Sequence, residues 1–549
     1  MTEAQAESFL QQQILPKNSG YENNFWIQEG AVDTKWLDML TKVYSAALHG
    51  AEAREVEIEV NEGSGDPKVV LVGLPDAAVK ESKDRVTTAI ANSGYRWPRG
   101  RTTINLAPAD IKKEGPSFDL PIALGMLAIV HGREMPRLND CCIAGELALT
   151  GAVRPIKGVL PIALEARRRG KPVLIVPAEN AEEASVVQGL SVHGVRNLRE
   201  CFEFLEGQRK IPATVSDLDT VFHRNQRFDF DFADVKGQAG VKRALEVAVA
   251  GGHNLLVIGA PGAGKSMVAK RIPTIMPPLT LEEAIETTKI HSVCGLLSEE
   301  RNFVAVRPFR SPHHTISDVG LLGGSTNPSP GEISLAHHGV LFLDELPEFR
   351  RGTLEVLRQP LEDGRAVISR AAGTMTFPAD IMLVAAMNPC PCGFYGHPKR
   401  ECRCPPGHVE RYRQRVSGPL LDRIDIHVEA PPVEYDELTS TAMEESSAEI
   451  RARVTKARER QAERFGDTLK PAVNARMQPR HMREFCVISA TCHALLKHAM
   501  EDLHLSARGH DRILKVARTI ADLAEAESIG EDHLLEALQY RSLDRSVWS

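Results

Sequence analysis

Gly259, Ala260, Pro261, Gly262, Ala263, Gly264, Lys265 and Ser266 form one run, G-x-x-x-x-G-K-S. That spacing is chemistry for a triphosphate. Glycines let successive backbone N–H groups turn towards phosphate oxygens, and a helix opening at the lysine aims its positive end at the same point. Lys265 would neutralise the β- and γ-phosphates, and Ser266 would ligate Mg²⁺. Asp344 and Glu345 end the apolar run that begins at Val340. There Asp344 would hold Mg²⁺ through water and Glu345 would polarise the attacking water. Asn388 ends a further apolar run from Ile381. Its neutral amide suits the task of orienting that water near the γ-phosphate.

Cys390, Cys392, Cys402 and Cys404 fall close together, while the other six of the ten cysteines are scattered. Four soft ligands in two close pairs suit a tetrahedral Zn²⁺. The C-x-C spacing is tighter than the common C-x₂-C, and free thiols or a disulfide are the other readings of the set. His313 and His314 would point in different directions on an extended chain, so they are not read as metal ligands.

These groups need a strand, a loop and a helix to hold them. His253 to Gly259 reads as an apolar strand, and Met267 to Ile272 as the helix that follows the loop. Upstream, Glu55 to Val60 alternates with period two, Ala77 to Ser93 is an amphipathic helix stopped by Gly94, and Phe118 to Val130 is an apolar helix. Strands and helices alternate on to Val187, which predicts a mixed α/β domain over 39–212. Residues 1–38 show no period and read as a loosely ordered extension. A polar linker is expected over 213–233, a nucleotide core over 234–440 and a largely helical lid over 441–549.

Composition narrows the function classes. The chain has 549 residues with 66 Lys+Arg against 73 Asp+Glu, a formal net charge of -7. That excludes a binder coated in positive charge, so any nucleic-acid contact must use local basic surface. The longest apolar run, Leu120 to Val130, is too short to span a bilayer and contains Pro121 and Gly125. The start, Met1 to Phe9, lacks the basic-then-apolar layout of a signal peptide, and a cytoplasmic protein without membrane contact is expected.

The order of phosphate loop, Leu341-Phe-Leu-Asp-Glu345, Ala385-Ala-Met-Asn388 and Leu420-Leu-Asp-Arg-Ile-Asp425 resembles the AAA+ ATPases. More closely it resembles their branch with magnesium chelatase and the MCM helicases, and closer still the ComM/YifB family of magnesium-chelatase-like proteins. Val72 to Ser82, Asn105 to Asp110, Phe309 to Thr315, Pro330 to His337, Asn388 to Gly393 and Ala517 to Leu523 carry that resemblance. By it, Arg423 is an arginine finger reaching a neighbouring subunit's site, which implies a homohexameric ring. Read from spacing alone, Arg423 could equally form a salt bridge with Asp422 or Asp425. The sensor-2 arginine is Arg508 by the same resemblance, with Arg512 one turn on as the competing assignment. Arg365 and Arg370 fall in a hairpin, Gly364 to Phe377, that contacts DNA in related helicases.

Gly115-Pro-Ser117, Gly145 to Gly151 and Pro155 to Leu160 resemble the Lon protease domain, a fold similar to ribosomal protein S5 domain 2. Ser117 holds the place of the nucleophile, but Leu160 stands where the dyad lysine is required, and Lys157 is three residues early. Leucine accepts no proton, so no peptidase activity is expected. The resemblance therefore implies an ATP- and Mg²⁺-dependent DNA motor acting on single-stranded, duplex or branched DNA. It would drive branch migration during natural transformation and work beside recombinase-pathway proteins. The alternative is a magnesium chelatase-type ATPase subunit, against which the Lon-like region and the cysteine set argue. Basic runs at 399–415 and 451–464 are the candidate DNA-facing surfaces outside the hairpin.

Overall fold

The structure is a computed structural model that describes residues 40–131, 135, 137–216, 222, 228–298, 302–324, 328–370, 373–439, 444–470, 472–502 and 505–543. The expected extension, 1–38, and the linker residues 217–221 and 223–227 lie outside the described residues. Two sheets organise the rest. The first has seven strands: β1 (Leu40–His49), β2 (Glu52–Gly63), β3 (Lys68–Val72), β4 (Arg101–Ala107), β5 (Cys141–Ile143), β6 (Val173–Pro177) and β7 (Ser191–Val195). Their order is β3-β4-β2-β1-β5-β6-β7. β2 and β4 pair antiparallel, with Glu59 opposite Asn105, whereas β5, β6 and β7 run parallel.

Helices α1 (Ala77–Asn92), α2 (Asp119–His131), α3 (Val159–Arg168) and α4 (Leu198–Leu205) cover this sheet. Asp76 caps α1 by accepting the Val79 N–H at 2.8 Å, and Gly94, at φ 84°, follows its end as a left-handed residue. Asp119 is buried where α2 begins and is held bidentately by Arg85, at 2.8 and 3.0 Å. Leu160 is buried on the first turn of α3. Lys157 instead lies against Gly295.

The second sheet carries the nucleotide residues. After α5 (Ala239–Gly251) come β8 (Leu255–Gly259), α6 (Lys265–Ala269), α7 (Leu281–Cys294), β9 (Phe309–Arg310), α8 (Asp318–Leu322) and β10 (Val340–Leu343). A hairpin of β11 (Arg365–Arg370) and β12 (Gly373–Pro378) precedes β13 (Met382–Met387), α9 (Pro406–Arg413) and β14 (Ile426–Ala430). The sheet order is β9-β10-β13-β8-β14, all parallel. β8, β10 and β13 are buried along their whole length, as near-continuous apolar runs must be in a parallel sheet. Helices α10 (Ser447–Phe465), α11 (Ala507–Leu523) and α12 (Glu531–Gln539) form the helical C-terminal region and share a core with α5 and β8. Among the described residues no helix is long and apolar enough to cross a membrane.

Asp425 joins this sheet to the helical region. Its carboxylate lies 3.2 Å from His253 Nδ1 and 3.5 Å from Arg512 Nε, while His253 Nε2 meets Thr519 Oγ1 at 2.8 Å. Burial alone would raise its carboxyl, but the His253 hydrogen bond and the Arg512 charge outweigh it and hold the group well below the ordinary carboxylate value of 3.8. A carboxyl lowered by folding contributes stability above its unfolded pKa and loses it as pH falls through the folded one. Asp425→Asn is therefore expected to cost about 3 kcal/mol at neutral pH, because it leaves the partly buried Arg512 without this counter-charge. Urea unfolding of both proteins checks this, with the difference constant from pH 8 to pH 5 and shrinking only below about pH 3.8.

Candidate functional site

The phosphate loop leaves β8 at Gly259 and enters α6 at Lys265. Gly262 and Gly264 sit at φ 81° and 82°, a left-handed conformation that a side chain would strain. Register sets the rest. Ile258 pairs with Met387, so the next residue on each strand, Gly259 and Asn388, stand side by side. Leu343 pairs with Ala385, which carries Asp344 to the same sheet edge. The result is a cleft of about 360 Å³ lined by Pro261 to Met267, Asp344, Glu345, Met387 and Asn388.

Inside it, Lys265 Nζ donates to the Gly259 carbonyl at 2.7 Å, the Ala260 carbonyl at 3.0 Å and Asn388 Oδ1 at 3.1 Å. Burial pushes the lysine's pKa down, against the opposing pull of Asp344 and Glu345. Ser266 Oγ donates to Asp344 Oδ2 at 2.5 Å, so the hydroxyl and carboxylate are already placed to share one cation. These residues fit Mg²⁺-ATP: a donor-rich loop for phosphate, a lysine, and a hydroxyl–carboxylate pair for the metal. Glu345 adopts φ 53° and presents its side chain, half exposed, at the mouth of the cleft.

His314 is the residue that sequence reasoning missed. Its Nδ1 lies 3.2 Å from Glu345 Oε2, and its ring stacks on His313 at 4.1 Å. The two rings therefore do not diverge as an extended chain would place them. The signal was in the register: Arg310 pairs with Leu341, so four residues further along each chain His314 reaches Glu345. An exposed pair of this kind is worth up to about 1 kcal/mol. His314→Ala is expected to free the carboxylate and raise basal kcat up to about fivefold at unchanged KM, measured in steady-state phosphate release.

The arginines fall into two groups. Arg423 Nη1 donates to the Pro419 carbonyl at 2.6 Å, and its Nη2 pairs with Glu362. Its partner is thus neither Asp422 nor Asp425, because Asp425 is taken by His253 and Arg512. Arg423 precedes β14, at the sheet edge opposite the phosphate loop, about 16 Å away along five strand residues. Arg512 is partly buried at that same edge, donating to the Ile424 carbonyl at 3.2 Å. Arg508 is exposed on the first turn of α11 and does not line the cleft. Arg365 and Arg370 are exposed at the two ends of β11, and Arg370 comes against Gly324.

Much of the basic run on α10 is engaged within the protein. Arg453 pairs with Glu246 and Glu445, Lys456 with Glu525 at 2.6 Å, and Arg464 with Asp522, while Arg458 donates to the buried Val249 carbonyl at 2.7 Å. Helical spacing marked these residues as one face, and Glu246 of α5, Asp522 of α11, Glu445 just before α10 and Glu525 just after α11 pair with three of them.

The four cysteines come together. Cys390 Sγ lies 3.4 Å from Cys392 and 3.6 Å from Cys402, Cys392 and Cys402 are 3.7 Å apart, and Cys404 completes the set within 4.8 Å. A tetrahedral zinc with bonds of about 2.3 Å spaces its sulfurs by about 3.8 Å, whereas a disulfide needs about 2.05 Å. The distances suit a metal and exclude the disulfide. Burial would raise the Cys392 thiol, but hydrogen bonds from the Phe394 and Arg403 backbones and from neighbouring sulfurs bring it down to about 6, while the neighbouring sulfurs push Cys402 and Cys404 up. Glu286, His337 and His338 also cluster. There His337 Nδ1 accepts the Asp380 N–H at 3.0 Å, which puts the ring proton on Nε2, 3.3 Å from Glu286 Oε2, so a neutral His337 offers that cluster no metal-ligating nitrogen.

Three family models match the chain: "Magnesium chelatase, subunit ChlI" over 231–438, "Subunit ChlI of Mg-chelatase" over 56–180 and "Magnesium chelatase, subunit ChlI C-terminal" over 444–541. Competence protein ComM of Haemophilus influenzae is 45% identical over 510 residues, covering 92% of this chain and 98% of that protein. The chain belongs to the ComM/YifB family. The YifB protein of Escherichia coli is 43% identical, with 92% of this chain and 98% of its own length covered. Members are Mg-chelatase-like AAA+ ATPases, which agrees with the cleft's fit to ATP and Mg²⁺. The mitochondrial Lon protease homolog of Homo sapiens is 33% identical over 96 residues, 17% of this chain and 10% of that protein, so the N-terminal fold has Lon homology. One of the ChlI descriptions covers 56–180, so the N-terminal region does not by itself separate this family from a chelatase subunit.

Proposed function

We propose that this ComM/YifB-family ATPase is an ATP-driven DNA motor that works as a homohexameric ring and promotes branch migration. The full-length likeness to a protein named for competence carries the reading, and points to integration of incoming single-stranded DNA. Two features support it. Arg423 stands on the edge away from its own phosphate loop, the placement that an arginine acting on another subunit's nucleotide would have. Arg365 and Arg370 lie exposed on a hairpin and are suited to phosphate contacts, which are sequence-independent and salt-sensitive. In this reading Arg508, one helical turn before Arg512 and near the same edge, also serves a neighbour's nucleotide. The four cysteines hold a structural Zn²⁺, and recombination proteins load the ring.

A four-way junction of synthetic DNA tests the proposal. Wild type with ATP and Mg²⁺ should convert it to branched products, and Lys265→Ala and Glu345→Gln should not. The second reading is a magnesium chelatase-type ATPase subunit, named by the matching family models. An ATPase rate unmoved by single-stranded, duplex and branched DNA would favour it over the motor.

A further inference from the structure

The cysteine cluster is built into the nucleotide cleft by three separate contacts. Cys390, fully buried, follows Asn388 by two residues, and Asn388 Oδ1 accepts from Lys265 Nζ. Gly393, between Cys392 and Phe394, is left-handed at φ 82°, and a Cβ there would stand 2.6 Å from Pro261 Cγ. The cysteine loop therefore lies directly on the phosphate loop. Cys402 and Cys404 lead into α9, whose buried Tyr412 has its phenol pushed up to about 12 by burial, opposed by the nearby Asn388 backbone. Arg413 fastens the outside of the loop, donating to the Pro389 carbonyl at 3.3 Å and stacking over Tyr395 at 4.9 Å.

We propose that Cys390, Cys392, Cys402 and Cys404 take one Zn²⁺ per chain and that its occupancy sets the affinity of the cleft for ATP. The proposal rests on the zinc reading of the cysteines and adds its consequence. Metal bonds fix the loop between Asn388 and Tyr412. Without the ion, sulfurs 3.4–3.7 Å apart lose the charge that holds them together. The loop then gains conformational freedom, which nucleotide binding must remove again at a cost in affinity.

Full-length protein purified without added zinc provides the test. Metal analysis is expected to give one zinc per chain. Stripping it with a zinc-selective chelator that leaves Mg²⁺ in place should weaken binding of a fluorescent ATP analogue about tenfold, ~1.4 kcal/mol, and added zinc should restore it. Cysteine variants risk misfolding, so Tyr412→Phe provides the second arm: it should keep one zinc and still bind the analogue severalfold more weakly. Metal far below one per chain would overturn the zinc reading and the proposal together. Stoichiometric zinc whose removal leaves affinity unchanged would overturn the coupling alone.

Discussion

Glu345→Gln should bind ATP as tightly as the native protein and hydrolyse it at least a hundredfold more slowly. The carboxylate reaches the mouth of the cleft from a left-handed residue directly after Asp344, while the phosphate loop, Lys265 and the Ser266–Asp344 pair do not depend on it. Glutamine keeps the shape and removes the base. A positioned general base contributes about 10²–10⁴ in rate, so the loss belongs to kcat and not to KM. Lys265→Ala should fail earlier, at binding, because it removes the cation that meets the β- and γ-phosphates. Equilibrium binding of a labelled nucleotide beside steady-state phosphate release separates the two variants. A Glu345→Gln protein that retains more than a tenth of the native kcat would take the catalytic role away from this residue.

Arg423→Ala is expected to lower kcat by about 10³, the lower end of what an arginine supplied in trans contributes elsewhere, with ATP binding kept. In the ring reading the effect is intermolecular, which gives it a distinctive signature. Mixed with Lys265→Ala, which keeps its own arginine but lacks a working cleft, the variant should regain activity, since some clefts then face a native neighbour. Equal loss of activity in the mixture and in the separate proteins would remove the ring from the reading. The Glu362 partner adds a condition: Arg423 must leave that carboxylate to act on another subunit. Glu362→Gln should therefore keep activity in the same assay, unlike Arg423→Ala.

Much of the site is legible in the chain because its rules are local. Glycine at fixed offsets, a lysine opening a helix, and acids closing an apolar run each follow from backbone geometry within a few residues. Ile258 to Asn388 needed one further step, the parallel register of two strands that their apolar runs already announce. The hairpin at 365–378 reads equally well, because alternation over two short strands is also local.

What failed to read from the chain is pairing across long separations. The α10 arginines recur at helical spacing, but whether they face DNA or Glu246, Glu445 and Asp522 depends on which helices pack beside them. Arg508 and Arg512 differ by one turn, and only the position of Asp425 assigns the second to an ion pair. His314 lies in a run that carries the family resemblance, but its contact with Glu345 exists because an edge strand pairs in one register and not another.

The sequence by itself therefore determined the reaction chemistry, a phosphate loop with its magnesium and base residues, together with the family that carries it. Tertiary structure decided which arginines remain available, that four cysteines meet at metal spacing, and that their loop rests on Pro261. The physical reason is range: backbone and periodicity act over a few residues, whereas charge neutralisation and metal geometry depend on groups that only the fold brings together.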